Sequence, residues 1–322
     1  MAKQIGSRID IGVAKESVRG TAAAPTYWLR PSEISVDERV MRSNDESSRN
    51  LIEDSIDSQV VGKYGEGNFT LPVRDKSFGL LMLSLFGSVA DTLVEAGVYD
   101  HTYAIQQSNQ HQSLTLHFKD QNAGKDYALS MLTEMEFAVE LEKHAMAKFG
   151  FRSKVGASQV RAASYVTENI FLPTHGDVRF AANLAGLAGA TPIKVRQVTV
   201  KLNKNVEEDR ALGDVNPQDI FNRLFQAEGE IVLVYDDLTY VNNMLNNTTQ
   251  ALRVDLTNAS VTIGAVSSPR VRFEFAKVLL EEVSRGFGKG DVVVQTLKFK
   301  AFYSETDSAL ASAIVRNVIA AY

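Results

Sequence analysis

The sequence predicts a mainly β protein built as two tandem β-sandwich or half-barrel units, each with one short flanking α-helix. Three observations carry this reading. The chain has 322 residues, about twice the usual size of one domain. Apolar residues alternate with polar ones over many short runs, the period of strands with one buried face. And the chain resembles itself: shifted by 162 positions, EGNFTLPVRDKSFGLLML (66–83) lies on EGEIVLVYDDLTYVNNML (228–245) without a gap.

In that overlay Glu66 meets Glu228, Gly67 meets Gly229, Leu71 meets Leu233, Asp75 meets Asp237, Met82 meets Met244 and Leu83 meets Leu245. The alternation after each Gly reads as a strand, and each Asp stands where it can cap a short helix. One face of that helix carries Phe78, Met82 and Leu85 in the first copy and Tyr240, Met244 and Leu245 in the second. A chance likeness between two strand-turn-helix units is the competing explanation.

Further strands follow in the same order in both halves. Leu114, Leu116 and Phe118 alternate, as do Leu252, Val254 and Leu256; MEFAVELE from Met135 and VRFEFAKV from Val271 come next, and KFGFRS from Lys148 and KFKAFYS from Lys298 close each half. The small residues and glycines between Gly156 and Pro192 suit a connection, which places the domains at 1–162 and 163–322. Residues 88–112 lengthen the first half only. In the tail, Leu310, Ile314, Val315, Val318 and Ile319 have the spacing of an amphipathic C-terminal helix.

Each half also holds a long charge-dense excursion before its Gly-led strand, from Asp37 to Gly65 and from Asn203 to Gly229. Loops of that length are uncommon in compact domains unless functional or disordered. Both keep interspersed apolar residues, so they read as arms that order on contact with another subunit.

Composition excludes several classes of function. The charge of -5 is spread over both halves, 18 basic against 21 acidic side chains in residues 1–162 and 16 against 18 in the rest. No basic cluster can grip a phosphate backbone. With no cysteine, neither disulfides nor thiolate metal sites are available. The first residues lack a signal-peptide apolar stretch, and the apolar patch near Gly79 to Gly87 is too short to span a bilayer, so synthesis in the cytoplasm is expected.

No catalytic, cofactor-binding or metal constellation emerges. His101, His111, His117, His144 and His175 lack ligand spacing and read as surface or hydrogen-bonding histidines. DQNAGKD from Asp120 misplaces the glycine of a calcium loop and lacks its bidentate Glu, so it reads as a hairpin turn. GKYGEGN near Gly62 and GFGKGD from Gly286 precede strand patterns where a phosphate cradle needs a helix, and read as turns. The sequons at Asn68, Asn246, Asn247 and Asn258 carry no weight without a secretory signal.

Three segments carry a family resemblance. IGVAKESVRGTAAAPTYWLRPSE (11–33) resembles the amino-terminal arm of the major tail tube proteins of siphophages, GEGNFTLPVRDKSFGLLMLSLFG (65–87) resembles their Gly-led strand and helix, and FEFAKVLLEEVSRGFGKGDVVVQTLKFKAFYS (273–304) resembles their last strands. The resemblance implies a structural virion protein that is no enzyme, assembled in the host cytoplasm into rings that stack as a hollow tube. Its implied partners are copies of itself, a tape measure protein, tail completion or tip proteins, and DNA that passes without specific binding. Most such rings hold six single units, so a doubled chain is expected to form a pseudo-hexameric homotrimer. The expected inter-ring contacts are Asp45, Glu46, Glu53, Asp54, Glu207, Glu208 and Asp209 as polar groups, with Leu51, Ile52, Phe221 and Phe225 as apolar anchors. A solvated, charged loop stands as the alternative for each of these residues.

Two rival readings are a host- or carbohydrate-binding β-sandwich module at a tail tip and a two-domain hydrolase. The first wants clustered exposed aromatics, against a single Trp28. The second wants a carboxylate constellation.

Overall fold

The computed structural model describes residues 6–48, 50 and 52–322. In chain order it contains β1 (Asp10–Lys15), β2 (Tyr27–Leu29), β3 (Glu33–Asn44), β4 (Ser58–Pro72), α1 (Ser77–Phe86), β5 (Gly87–Glu95), β6 (Val98–Ile105), β7 (Leu114–Lys119), β8 (Gly124–Glu140), β9 (Met146–Ser153) and β10 (Ala157–Ser158). Then follow β11 (Gly176–Ala181), β12 (Val195–Asn203), β13 (Glu207–Asp209), β14 (Asp219–Phe221), β15 (Gln226–Val234), α2 (Thr239–Leu245), β16 (Gln250–Thr257), β17 (Arg270–Gly286), β18 (Val294–Phe302) and β19 (Ala311–Asn317). Strands dominate and every strand pair is antiparallel, the mainly β architecture that the alternation predicts.

One pairing order occurs twice. β3, β4, β9 and the second half of β8 lie side by side, and so do β12, β15, β18 and the second half of β17. β8 pairs directly with β12, so the two groups of four form one continuous run of eight strands. β8 and β17 are each 17 residues long, and their first halves leave this sheet for a second layer. There β8 meets β7 and β7 meets β1, while β17 meets β16 and β16 meets β11. Bulges mark both long strands, between Leu132 and Glu134 facing β9 and between Leu280 and Glu282 facing β18. An extra residue bends the strand and increases its twist. The core fills the space between the layers, with Phe69, Phe149, Phe137, Phe273, Phe275 and Phe299 almost fully buried.

A buried carboxylate pins the amino-terminal arm. Glu16 accepts hydrogen bonds from Ser113 Oγ at 2.6 Å, Thr115 Oγ1 at 2.9 Å and the backbone N–H groups of Gly20 at 2.7 Å and Leu129 at 2.8 Å. Leu129 takes a positive φ of 55° to point its N–H there, a costly backbone for a branched side chain. A buried carboxylate is tolerated only with its lone pairs satisfied.

Four local expectations are corrected. The tail does not form a helix: residues 311–317 are β19, inserted between β17 and β6. Ala311, Ala313, Val315 and Asn317 are buried in strict alternation, and β-branched Ile314 and Val315 suit that backbone. The glycines of GKYGEGN lie within β4 and not in a turn. Asp75 does not cap α1. Its carboxylate instead holds Asn169 of the connection, at 2.9 Å to the backbone N–H and 2.7 Å to the side-chain amide. Glu168 next to it accepts the Ser77 N–H at 2.6 Å, so α1 is capped from the connection. Finally, Leu245 is 71% exposed. Every residue of α1 is buried, because the β5–β6 hairpin formed by residues 87–105 packs over it; α2 has no such cover, and only Tyr240 and Met244 rest on the core. Asp237 does hold the start of α2, accepting the Thr239 N–H at 2.8 Å, a bond that draws its carboxyl below the ordinary range.

The two Gly-led strands share a close contact. Gly67 stands opposite Phe151 and Gly229 opposite Phe299. A Cβ on Gly67 would sit 2.1 Å from the Ser35 carbonyl oxygen and 2.9 Å from the Phe151 ring; on Gly229 it would sit 2.2 Å from the Thr199 carbonyl oxygen and 2.6 Å from the Phe299 ring. In both places an aromatic ring covers a bare backbone, the aromatic rescue of a strand glycine. Gly67→Ala and Gly229→Ala are each expected to lower unfolding free energy by about 1–3 kcal/mol through overpacking. Urea denaturation followed by tryptophan and tyrosine fluorescence measures the shift.

Candidate assembly surface

The eight-strand run has one face on the core and one face turned away from it. Alternation decides which residues go where: Ile231 and Leu233 of β15 and Leu297 and Phe299 of β18 point inward, while Glu228, Glu230, Lys298 and Lys300 point outward. The outward side chains form rows of alternating charge across the strands. Lys148 of β9 stands opposite Glu136 of β8, Glu136 opposite Lys201 of β12, Lys201 opposite Glu228 of β15, and Glu228 opposite Lys300 of β18. A second row pairs Glu230 with Lys298 and Lys298 with Glu282 of β17. Lys298 and Glu282 bond at 2.7 Å, and Lys201 and Glu136 lie 3.6 Å apart. Opposite charges directly across strands stabilise the sheet modestly, and exposure to water keeps each such pair weak.

The run ends at both sides on a strand with one unpaired edge. Among the described residues β3 pairs only with β4, and residues 279–286 of β17 pair only with β18. Natural sheets rarely leave such edges bare without charge, bulge or cover.

Beyond the sheet, β3 and β4 continue as a two-stranded ribbon, pairing from Glu33 with Thr70 out to Asn44 with Ser58. The first excursion is therefore a built hairpin. Asp45 and Asp57 close its tip by a backbone bond of 2.9 Å, and the Asp45 carboxylate accepts the Ser47 N–H and hydroxyl, which draw it below its ordinary range. Asp45, Glu46, Ile52, Glu53 and Asp54 are all exposed at this tip, Ile52 completely, and Val40, Met41, Ile56 and Val61 are exposed along the ribbon. Leu51 lies outside the described residues.

The second excursion folds back on its own chain. Glu208 has a side chain only 8% exposed. It binds Arg152 at 2.8 Å and Arg210 through a short bond, and both guanidinium groups stack on the Tyr64 ring of the ribbon. Glu207 and Asp209 are exposed on the small β13–β14 ribbon, where Phe221 pairs with Glu207 and is half-buried. Phe225 packs on Phe86 of α1, ring centres 5.7 Å apart. The candidate residues therefore fall into two places, an exposed tip and a segment docked against the first half of the chain.

That docking runs through polar groups the sequence patterns did not single out. Arg19 binds Asp219 at 2.6 Å and donates to the His111 and Ile220 carbonyls. Asn222 accepts the His111 N–H at 2.9 Å. Lys204 is buried and donates to the Ser84 carbonyl in the last turn of α1, at 2.7 Å, where the helix dipole favours a cation. His111, Lys204 and Asn222 border a cleft of about 430 Å³. The signal for Lys204 is its position on the inward side of Val198, Val200 and Leu202. Burial pushes Lys204 down to about 7, and burial, with the charge of Lys204 next, pushes His111 down to about 4.

The other buried histidines are bonded in place: His117 to Asp126 at 2.5 Å, and His101 to Asp91 at 2.5 Å and Asn317 at 3.1 Å. Among the described residues no cluster of three metal-ligating side chains occurs, and no helix is long and apolar enough to cross a membrane.

A broad polar sheet face, two unpaired edges and a projecting ribbon define a structural β protein whose chemistry lies in its surfaces. A family model described as phage tail tube protein matches residues 6–301, and the chain belongs to the phage tail tube protein family. It is accordingly a structural component of a phage tail and not a member of an enzyme class. A comparison with curated protein sequences finds no match.

Two buried basic groups give a pH dependence. Unfolded, Lys204 holds its proton up to about 10.5 and His111 up to about 6.5, whereas folded they release it near 7 and 4. Across both windows the unfolded chain carries the extra proton, so stability rises with pH. The urea midpoint is expected to fall as pH drops from 6.5 to 4. Lys204→Met is expected to flatten the rise between pH 7 and 10 while leaving most of the acid-side slope.

Proposed function

We propose that this chain self-associates into closed three-chain rings that stack into the hollow tube of a long, non-contractile phage tail, through which DNA is delivered. Each ring would then hold six similar units, two per chain, residues 1–162 and 163–322. The observation that carries this reading is the eight-strand run open at both edges. Joining edge to edge leaves no bare strand, and a rotational closed ring is the common outcome of head-to-tail contacts that close.

The dimensions support it. Three runs of eight give 24 strands; at about 4.8 Å each they enclose a circumference near 115 Å and a diameter of about 37 Å. Removing roughly 10 Å for lining side chains leaves room for a DNA duplex, and strand tilt widens the bore. With the polar face inward, the alternating Lys and Glu rows offer no basic track to hold a phosphate backbone.

Stacking falls to the projecting ribbon. Asp45, Glu46, Glu53 and Asp54 supply polar contacts to the next ring and Leu51 and Ile52 apolar ones, while Glu208 holds the ribbon's base through Arg152, Arg210 and Tyr64, and Glu207, Asp209, Phe221 and Phe225 belong to the docked second excursion. A tape measure protein and tail completion or tip proteins are the remaining partners of such a tube, and assembly takes place in the host cytoplasm before the tail joins the virion.

Deleting Asp45 to Ile56 is expected to abolish stacked tubes in negative-stain electron microscopy while circular dichroism shows a folded subunit. Tubes of normal length from that variant would overturn the stacking role.

A further inference from the structure

The joint between β8 and β12 inside one chain gives the register of the joint between two chains. We propose that residues 282–286 of β17 pair antiparallel with residues 35–39 of β3 in a second copy, with Glu282 directly opposite Arg39. This rests on the ring reading above and adds a partner surface with named residue pairs.

The correspondence is read from contacts on both sides of each strand. Phe151 faces Gly67 and Leu132, and Phe299 faces Gly229 and Leu280. The bulge comes immediately after Leu132 in β8 and immediately after Leu280 in β17. Glu134 and Glu282 therefore hold equivalent places. On the other partner, Val36 faces Gly67 and Val200 faces Gly229, so Arg39 takes the place of Asn203. Within the chain Glu134 pairs with Asn203; carried to the free edges, the same joint sets Glu282 against Arg39, Ser284 against Asp37 and Gly286 against Ser35.

Three independent features agree with that register. Inward residues meet inward residues, since Val283 and Glu38 both lie on the side away from the charge rows; a slip of one would turn every side chain to the wrong face. The row Glu230, Lys298, Glu282 continues with Arg39, keeping the signs alternating across the boundary. A slip of two would place Glu282 opposite Asp37, like charge on like charge, or opposite Met41. And Phe287, 69% exposed just past β17, comes beside Ile34 of the neighbour. Arg39 is 53% exposed on its side chain and Glu282 54%, so both are accessible for pairing.

The chain has no cysteine, which makes paired cysteines a clean probe. Directly opposite residues have Cβ atoms about 4.5–5.5 Å apart, within reach of a disulfide after small shifts, whereas a two-residue slip puts them at about 7 Å. The variant Arg39→Cys with Glu282→Cys, oxidised after assembly, is expected to give non-reducing gel bands that end at three linked chains, with rings still visible by electron microscopy. Asp37→Cys with Glu282→Cys is expected to give at least tenfold less linkage, and each single variant no band above a dimer. Rings that form normally but link only through the Asp37→Cys pair, or through neither, overturn the register and leave the ring standing. Absence of rings in the unsubstituted protein at high concentration overturns both. As a second arm, Glu282→Arg is expected to reduce ring yield and Glu282→Arg with Arg39→Glu to restore it; no restoration counts against the pairing.

Discussion

The structure depends on one junction, the antiparallel pairing of residues 134–140 with 197–203. Without it there are two four-stranded sheets, each with two bare edges; with it there is, among the described residues, one run with open edges at β3 and at the second half of β17. Backbone groups deprived of water must find partners, and here the chain satisfies its central edge by covalent fusion. The connection that makes this possible is itself tied down, by Asp75 gripping Asn169 and Glu168 capping α1. The β5–β6 hairpin adds a second tie, because β6 from the first half pairs with β19 from the end of the second.

The features nearest to local sequence were legible in it. Gly67 and Gly229 stood out because the overlay at 162 positions sets them together at the head of an alternating run, and the helix after each showed its apolar spacing. What was misread follows from the limits of period. Leu310, Ile314 and Val315 fit a helix stripe as well as a strand; the small Ala311 and Ala313 between them were the strand residues, and only pairing with β6 and β17 decides the case. The ribbon of β3 and β4 is exposed on both faces at its outer end, so its residues carry no alternation and looked like loop. Glu208, chosen for charge density, is held by Arg152 across 56 positions of sequence, a contact no local pattern records. The burial of Lys204 left a trace, since it continues an inward row, but a cation on a core face invites the wrong reading.

The two arms thus behave differently under one compositional description. One presents charge and Ile52 to the outside, the other spends its charged and apolar groups on its own chain, through Tyr64, Phe86 and the Arg19–Asp219 pair. Rigidity at the base and exposure at the tip would suit a contact made repeatedly in one geometry, because a pre-ordered element loses less conformational entropy on docking.

The charge rows have a consequence for anything moving past the sheet. Signs that alternate every strand repeat about every 9.6 Å across the face, twice the strand spacing. A potential with that repeat dies away over the repeat divided by 2π, about 1.5 Å, far faster than the screening length of about 10 Å at 0.1 M salt that governs a uniformly charged wall. Such a wall is rough at contact and electrically quiet one water layer away. A polyanion brought up to such a face would meet neither a deep well nor a high barrier.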